Sequence, residues 1–191
     1  MFGLPPVTQA LLLTNVLVFF AAGMGIPLPL NELALWPLGI DFKPWQVLTY
    51  GFLHSGLSHL AFNMFGLYMF GSDIERVWGS RRFLNYYLIC VASAAIAQLA
   101  VSFLFGSGSP TVGASGGIFG LLIAFAMLYP NRMIMPLIPP IPMRAPVFVA
   151  LYGGLELFLG VTGTQAGVAH FAHLGGLAGG YLFIKFWRRR R

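Results

Sequence analysis

The sequence predicts an all-α polytopic membrane protein, a bundle of six transmembrane helices, on three observations. Of 191 residues, 58% are hydrophobic and 8% are charged, with a mean hydropathy of +0.79. A soluble domain carries about a quarter charged residues, so lipid is the main solvent of this chain. The apolar residues come in long runs without alternation. Where backbone polar groups must pair internally, such runs form helices rather than barrel strands. The basic residues, finally, gather between and after these runs.

The first span covers about Thr8 to Gly23. It lacks a basic leader and a convincing small-residue cleavage site, so it reads as a retained span. The connection from Met24 to Gln46 holds Pro27, Pro29, Pro37 and Pro44 with Trp36 and Trp45. It is too apolar for a solvated loop and too broken for a span, which places it in the interface with its tryptophans at headgroup level. The second span covers about Leu57 to Phe70 and the third about Phe83 to Phe105. The fourth begins near Ser115 and ends before Pro130. Met135 to Pro146 is a stiff, proline-rich connector. The fifth span covers about Pro146 to Val161 and the sixth about Val168 to Trp187. The second, fourth and fifth fall short of the roughly 20 residues of a full crossing, as spans lining a cavity do.

Charge sets the orientation. The formal charge is +6, which loop bias explains without nucleic acid. Arg76, Arg81, Arg82, Arg132, Arg144, Lys185 and Arg188 to Arg191 all fall on one side of a six-span chain, and only Lys43 falls on the other. The positive-inside rule puts both termini in the cytoplasm. The lone cysteine, Cys90, excludes a disulfide within the chain.

The four histidines form two clusters, His54 with His59 and His170 with His173. Ionisable groups inside a membrane face the protein interior or a water cavity, so two clusters on one outer half invite a common site. Gly113-Ala114-Ser115-Gly116-Gly117 matches the G-x-S-x-G string but lacks the strand–turn–helix context of the hydrolase elbow. Ser115 instead opens an apolar helix, where unpaired N–H groups and the positive dipole end favour a developing oxyanion. An ordinary N-cap serine is the plain alternative. A serine hydroxyl needs a base, and His173 stands close to the helix face lined by Gly176 and Gly180, which are four apart. That small-residue face, packed on Gly116, Gly117 and Gly120, brings His173 within reach of Ser115. Simple glycine-mediated helix packing is the alternative. His59 and Asn63 are four apart and share one face of the second span, aimed as two donors at one oxygen.

Together these motifs resemble the rhomboid family of intramembrane serine proteases. His54, His59 and Asn63 match its H-x-x-x-x-H-x-x-x-N pattern. Gly113, Ser115 and Gly116 match G-x-S-G, and Ala172, His173, Gly176 and Gly180 match A-H-x-x-G-x-x-x-G. The likeness runs from Phe42 to Gly180 and includes Asp73-Ile74-Glu75-Arg76 and Gly79. It implies the minimal six-span bacterial form, one domain over residues 1–191, in the bacterial inner membrane. It implies a Ser–His dyad with Ser115 as nucleophile and His173 as base. It further implies an oxyanion hole of His59, Asn63 and the Ser115 backbone N–H, with His54 in support. Phe119 stands where several members have a tyrosine that stacks on the histidine, so stacking should survive. The fifth span beside the second would form a lateral gate, where Glu156 could influence substrate admission. His170 is not required by the family and is expected near the outer surface. The substrates implied are single-span transmembrane proteins that unwind locally, and no metal or other cofactor is needed. The rival classes are a histidine-bound zinc protein and a non-catalytic membrane binder or transporter. The first lacks an H-E-x-x-H string, and the second lacks repeated halves.

Overall fold

The computed structural model describes residues 3–106, 108–136, 139–164 and 168–188. The terminal arginines 189–191 lie outside the described residues. Helix α1 is Pro6–Gly23, followed by the one-turn helices α2 (Leu30–Leu33) and α3 (Gln46–Thr49) and a 3-10 turn, Tyr50–Phe52. Next come α4 (Leu57–Gly66), a π turn (Leu67–Gly71), α5 (Ser72–Trp78), α6 (Ser80–Phe105) and α7 (Ser115–Leu128). A two-residue pair, β1 (Met133–Ile134) with β2 (Met143–Arg144), brackets the proline-rich connector before α8 (Ala145–Thr162) and α9 (His170–Arg188). The fold is a polytopic helical membrane bundle. Among the described residues α1, α6 and α8 are long and apolar enough to cross a membrane, while α7, with 14 residues, is shorter.

The bundle is built inside out relative to a soluble protein. Leu13, Leu17 and Phe20 of α1, and Leu151, Leu155 and Phe158 of α8, are exposed. An apolar exterior of this extent suits lipid. The centre is aromatic and small: Phe83, Tyr86, Tyr87, Val91 and Leu121 are buried. Helix α9 packs against α6, α7 and α8, and glycines let it in. A Cβ on Gly176 would strike the backbone carbonyl of Gly116, and one on Gly180 would strike the Tyr86 hydroxyl. Gly120 leaves the same kind of space for Cys90, whose thiol is fully buried. Tyr86 then donates its hydroxyl to the Gly120 carbonyl at 2.6 Å, tying α6 to α7.

The second span continues through the π turn and α5 to Trp78, past the expected end at Phe70. Its charges are used inside the fold. Glu75 caps α1 from 67 residues away: it accepts the Val7 N–H at 3.0 Å and both the N–H and hydroxyl of Thr8 at 2.7 Å. Ser80 adds its hydroxyl at 2.7 Å. The first amides of a helix have no intrahelical partner, and a carboxylate there is favoured by the helix dipole. Glu75 is 2% exposed, so its loss strands buried donors. Glu75→Ala should destabilise the detergent-solubilised protein by about 3–5 kcal/mol, with Gln losing less. A denaturation series on the two variants checks this.

Arg132, after α7, reaches Asp73 at 3.6 Å, and Arg82 lies over the Trp187 ring at 3.5 Å. Lys43 pairs with Glu32 in the Met24–Gln46 connection.

Candidate active site

Ser115 is the first residue of α7, and its position is fixed from two sides. The Gly113 N–H donates to the Tyr50 carbonyl at 3.0 Å, while the buried Tyr50 hydroxyl donates to the Val91 carbonyl at 2.9 Å. Thr111 and Leu35 exchange both backbone hydrogen bonds, at 2.9 and 3.0 Å. The loop before Ser115 is thereby latched to the Met24–Gln46 connection. That connection is itself knotted around Gln46, which is fully buried. Gln46 accepts the Trp36 N–H at 3.1 Å and donates to the Glu32 and Asp41 carbonyls at 3.2 and 3.1 Å. The connection is therefore a folded brace.

Helix α9 brings the base. His173 Nε2 lies 2.7 Å from Ser115 Oγ across 58 residues of chain. The Phe119 ring, one turn along α7, lies parallel to the imidazole at 4.5 Å with a 6° tilt. Stacking and the Gly176–Gly116 approach hold the ring against α7. On its far side His173 Nδ1 is 2.9 Å from Glu156 Oε2, and both side chains are nearly buried, at 12% and 13% exposure. The separation is that of an ion pair, but the Nδ1–H does not point straight at the oxygen. The same Oε2 meets His170 Nδ1 in a 2.6 Å hydrogen bond. His170, the first residue of α9, is 5% exposed beside Glu156.

His59 and Asn63 sit on one face of α4. The Ser55 N–H, which can only donate, points to His59 Nδ1 at 3.4 Å, and the Ser55 hydroxyl is 3.1 Å away. Nδ1 therefore accepts, leaving the proton on Nε2. A Cβ on Gly113, where φ is +133°, would fall 2.8 Å from His59 Nε2 and 3.6 Å from Ser115 Oγ. A vacant point thus lies beside both groups. Asn63 is buried and gives one amide proton to the His59 carbonyl at 2.8 Å, with a second still to give. His54, in the loop ahead of α4, meets His59 edge to face at 5.0 Å, and neither of its ring nitrogens has a partner among the described residues. Burial first, and then the neighbouring His59, push the His54 imidazole down to about 4.

Glu156, His170 and His173 also bring three possible metal-ligating atoms within 4.8 Å of one another. Around a tetrahedral zinc, ligand atoms stand about 3.3 Å apart. The contacts of 2.6 and 2.9 Å to Glu156 Oε2 are closer than that and have the length of hydrogen bonds. The roles of Gln46, Tyr50 and Glu156 escape a motif reading. Only Glu156 leaves a signal, as a lone acid in an apolar span.

The profile of the Rhomboid domain matches residues 41–190. The chain is 30% identical over 188 residues to the putative rhomboid protease YdcA of Bacillus subtilis, covering 93% of this chain and 86% of that one. It is 35% identical over 139 residues to the rhomboid protease GluP of the same organism, covering 72% of this chain but 25% of GluP. It is 34% identical over 158 residues to RHOMBOID-like protein 4 of Arabidopsis thaliana, covering 75% of this chain and 36% of that protein. The chain thus spans about a quarter of one relative, about a third of another and most of the third. With a match over most of its length and its apolar helices, the chain belongs to the rhomboid family of integral membrane proteins.

Proposed function

We propose that this chain is an intramembrane serine endopeptidase that hydrolyses peptide bonds of single-span transmembrane proteins. The observation that carries the reading is the 2.7 Å contact between Ser115 Oγ and His173 Nε2 at the start of an apolar helix. Ser115 attacks the scissile carbonyl while His173 Nε2 takes its proton. The tetrahedral oxygen collects the Ser115 N–H, the His59 Nε2–H and the second Asn63 amide proton, each such donor contributing roughly 3 kcal/mol. His173 returns the proton to the departing amine. Water then releases the acyl group by the same steps in reverse order. A helical substrate must unwind first, because its carbonyls are already paired, so helix-breaking and small residues favour cleavage. The one-sided basic residues support cytoplasmic termini, and the bacterial relatives support an inner-membrane location. Residues 1–191 act as a single domain.

The test is cleavage of a single-span substrate in proteoliposomes, with fluorophosphonate labelling of Ser115 and a chelator present throughout. Cleavage and labelling that survive the chelator support the serine reading. Cleavage lost to the chelator, or an unlabelled Ser115, overturns it. The vacant point beside His59 and Ser115 supplies a further prediction. Gly113→Ala should fill it and strain the backbone, lowering kcat by about 100-fold or more. Turnover on the same substrate, with a melting curve to confirm folding, checks the result.

A further inference from the structure

We propose that Glu156 is a positioning residue for His173, so that the site works as Ser115–His173–Glu156 rather than as a serine and a histidine alone. The inference rests on the protease reading above. Glu156 lies on α8, one turn before Gly160, and Gly160 packs against the first residues of α9. A Cβ there would fall 3.2 Å from His170 Cβ and 3.1 Å from the Phe171 ring. This approach sets the carboxylate opposite the first turn of α9, where His170 and His173 project one above the other.

A carboxylate that is 13% exposed inside an apolar helix is costly unless partnered. The partners found for it are two imidazole Nδ1 atoms, at 2.6 and 2.9 Å on one oxygen. A carboxylate accepts only, so the proton of neutral His173 belongs on Nδ1 and the Nε2 lone pair faces Ser115 Oγ. That is the tautomer a general base requires. When His173 takes the serine proton it becomes an imidazolium, and the adjacent negative charge stabilises it without leaving its place. The bond to His170 is well formed, whereas the line to His173 is bent. His170 therefore anchors the carboxylate and His173 uses it.

The experiment compares wild type with Glu156→Gln and Glu156→Ala in two assays: turnover of a single-span substrate and the rate of fluorophosphonate labelling of Ser115. The small probe does not depend on lateral admission of a helix. Removing the carboxylate should slow both by a similar factor of about 100 with KM unchanged, less than the ~10⁴-fold carried by a fully aligned triad aspartate. Gln, which keeps an acceptor but no charge, should lose less than Ala. Nitrogen NMR of labelled histidine should show His173 as the Nδ1–H tautomer in wild type and a mixture in Glu156→Ala. Should the alanine variant fail to fold, the Gln variant carries the comparison. Wild-type labelling rates in the folded variants overturn the inference even if cleavage of the transmembrane substrate falls, because that pattern belongs to a gate. Labelling of Ser115→Ala at the wild-type rate overturns the underlying reading, and this inference with it.

Discussion

Ser115→Ala is expected to lower cleavage of a single-span substrate by about 10⁶-fold, to the detection floor, and His173→Ala should cost about as much. The double variant should be no worse than either single. This follows from how the two groups act. On the proposed mechanism Ser115 Oγ is a poor nucleophile until a base removes its proton, and the His173 Nε2 that would act as that base lies 2.7 Å away. Take either one and the other has nothing to act on. Independent contributions would instead multiply. Folding should be preserved in Ser115→Ala; His173→Ala gives up the Phe119 stack and a partner of Glu156, while the glycine contact of α9 with α7 at Gly176 and Gly116 stays in place. The measurement is a rate series on four proteins over a range of enzyme concentrations, with melting temperatures alongside. Multiplicative losses in the double variant would mean that the two residues do not work on one proton.

Gly176→Ala should have the largest effect on the fold. Its new Cβ would overlap the carbonyl oxygen of Gly116. That atom is rigid helix backbone, so no side chain can swing away. Relief requires α9 to move off α7, which parts Gly176 from Gly116 and His173 from Ser115 together. Overpacking of this kind costs about 1–3 kcal/mol where side chains can yield, and here it should exceed about 3 kcal/mol. Gly154→Ala is the control, since nothing lies within 4 Å of its Cβ position. The expected result is a strongly lowered melting temperature and no cleavage for Gly176→Ala, and wild-type behaviour for Gly154→Ala.

These contacts show which parts of the structure are legible in sequence. Span limits fall within a few residues of those expected at Thr8, Ser115, Pro146 and Val168, because apolar length is a strong local signal. The second span runs on past Phe70 because Asp73 and Glu75, beyond its expected end, are satisfied by Arg76, Arg132 and the start of α1. For Glu75 the explaining partners are distant, at Val7 and Thr8. The geometry that joins Ser115 to His173 was accessible because glycines four apart announce close helix packing. The π turn at Leu67–Gly71 and the β1–β2 pair have no comparable signature. Glu156 and Gln46 are single polar residues whose partners lie in other segments, the first turn of α9 and the connection before α3. Residue type flags Glu156, a lone acid in an apolar span, but not Gln46, and the spacing of neither says what it touches.

The thiol of Cys90, walled in by Gly120 and Tyr86, leaves the protein blank to water-soluble maleimides, since such reagents need an accessible thiolate. Native chain can therefore serve directly as the background for single-cysteine probes, with no prior mutation at this crowded spot. A spin label or fluorophore on an exposed position of α8, such as Phe158, and its counterpart on Phe62 of α4 would report the spacing of those two helices. That ruler could be read with and without an added single-span protein.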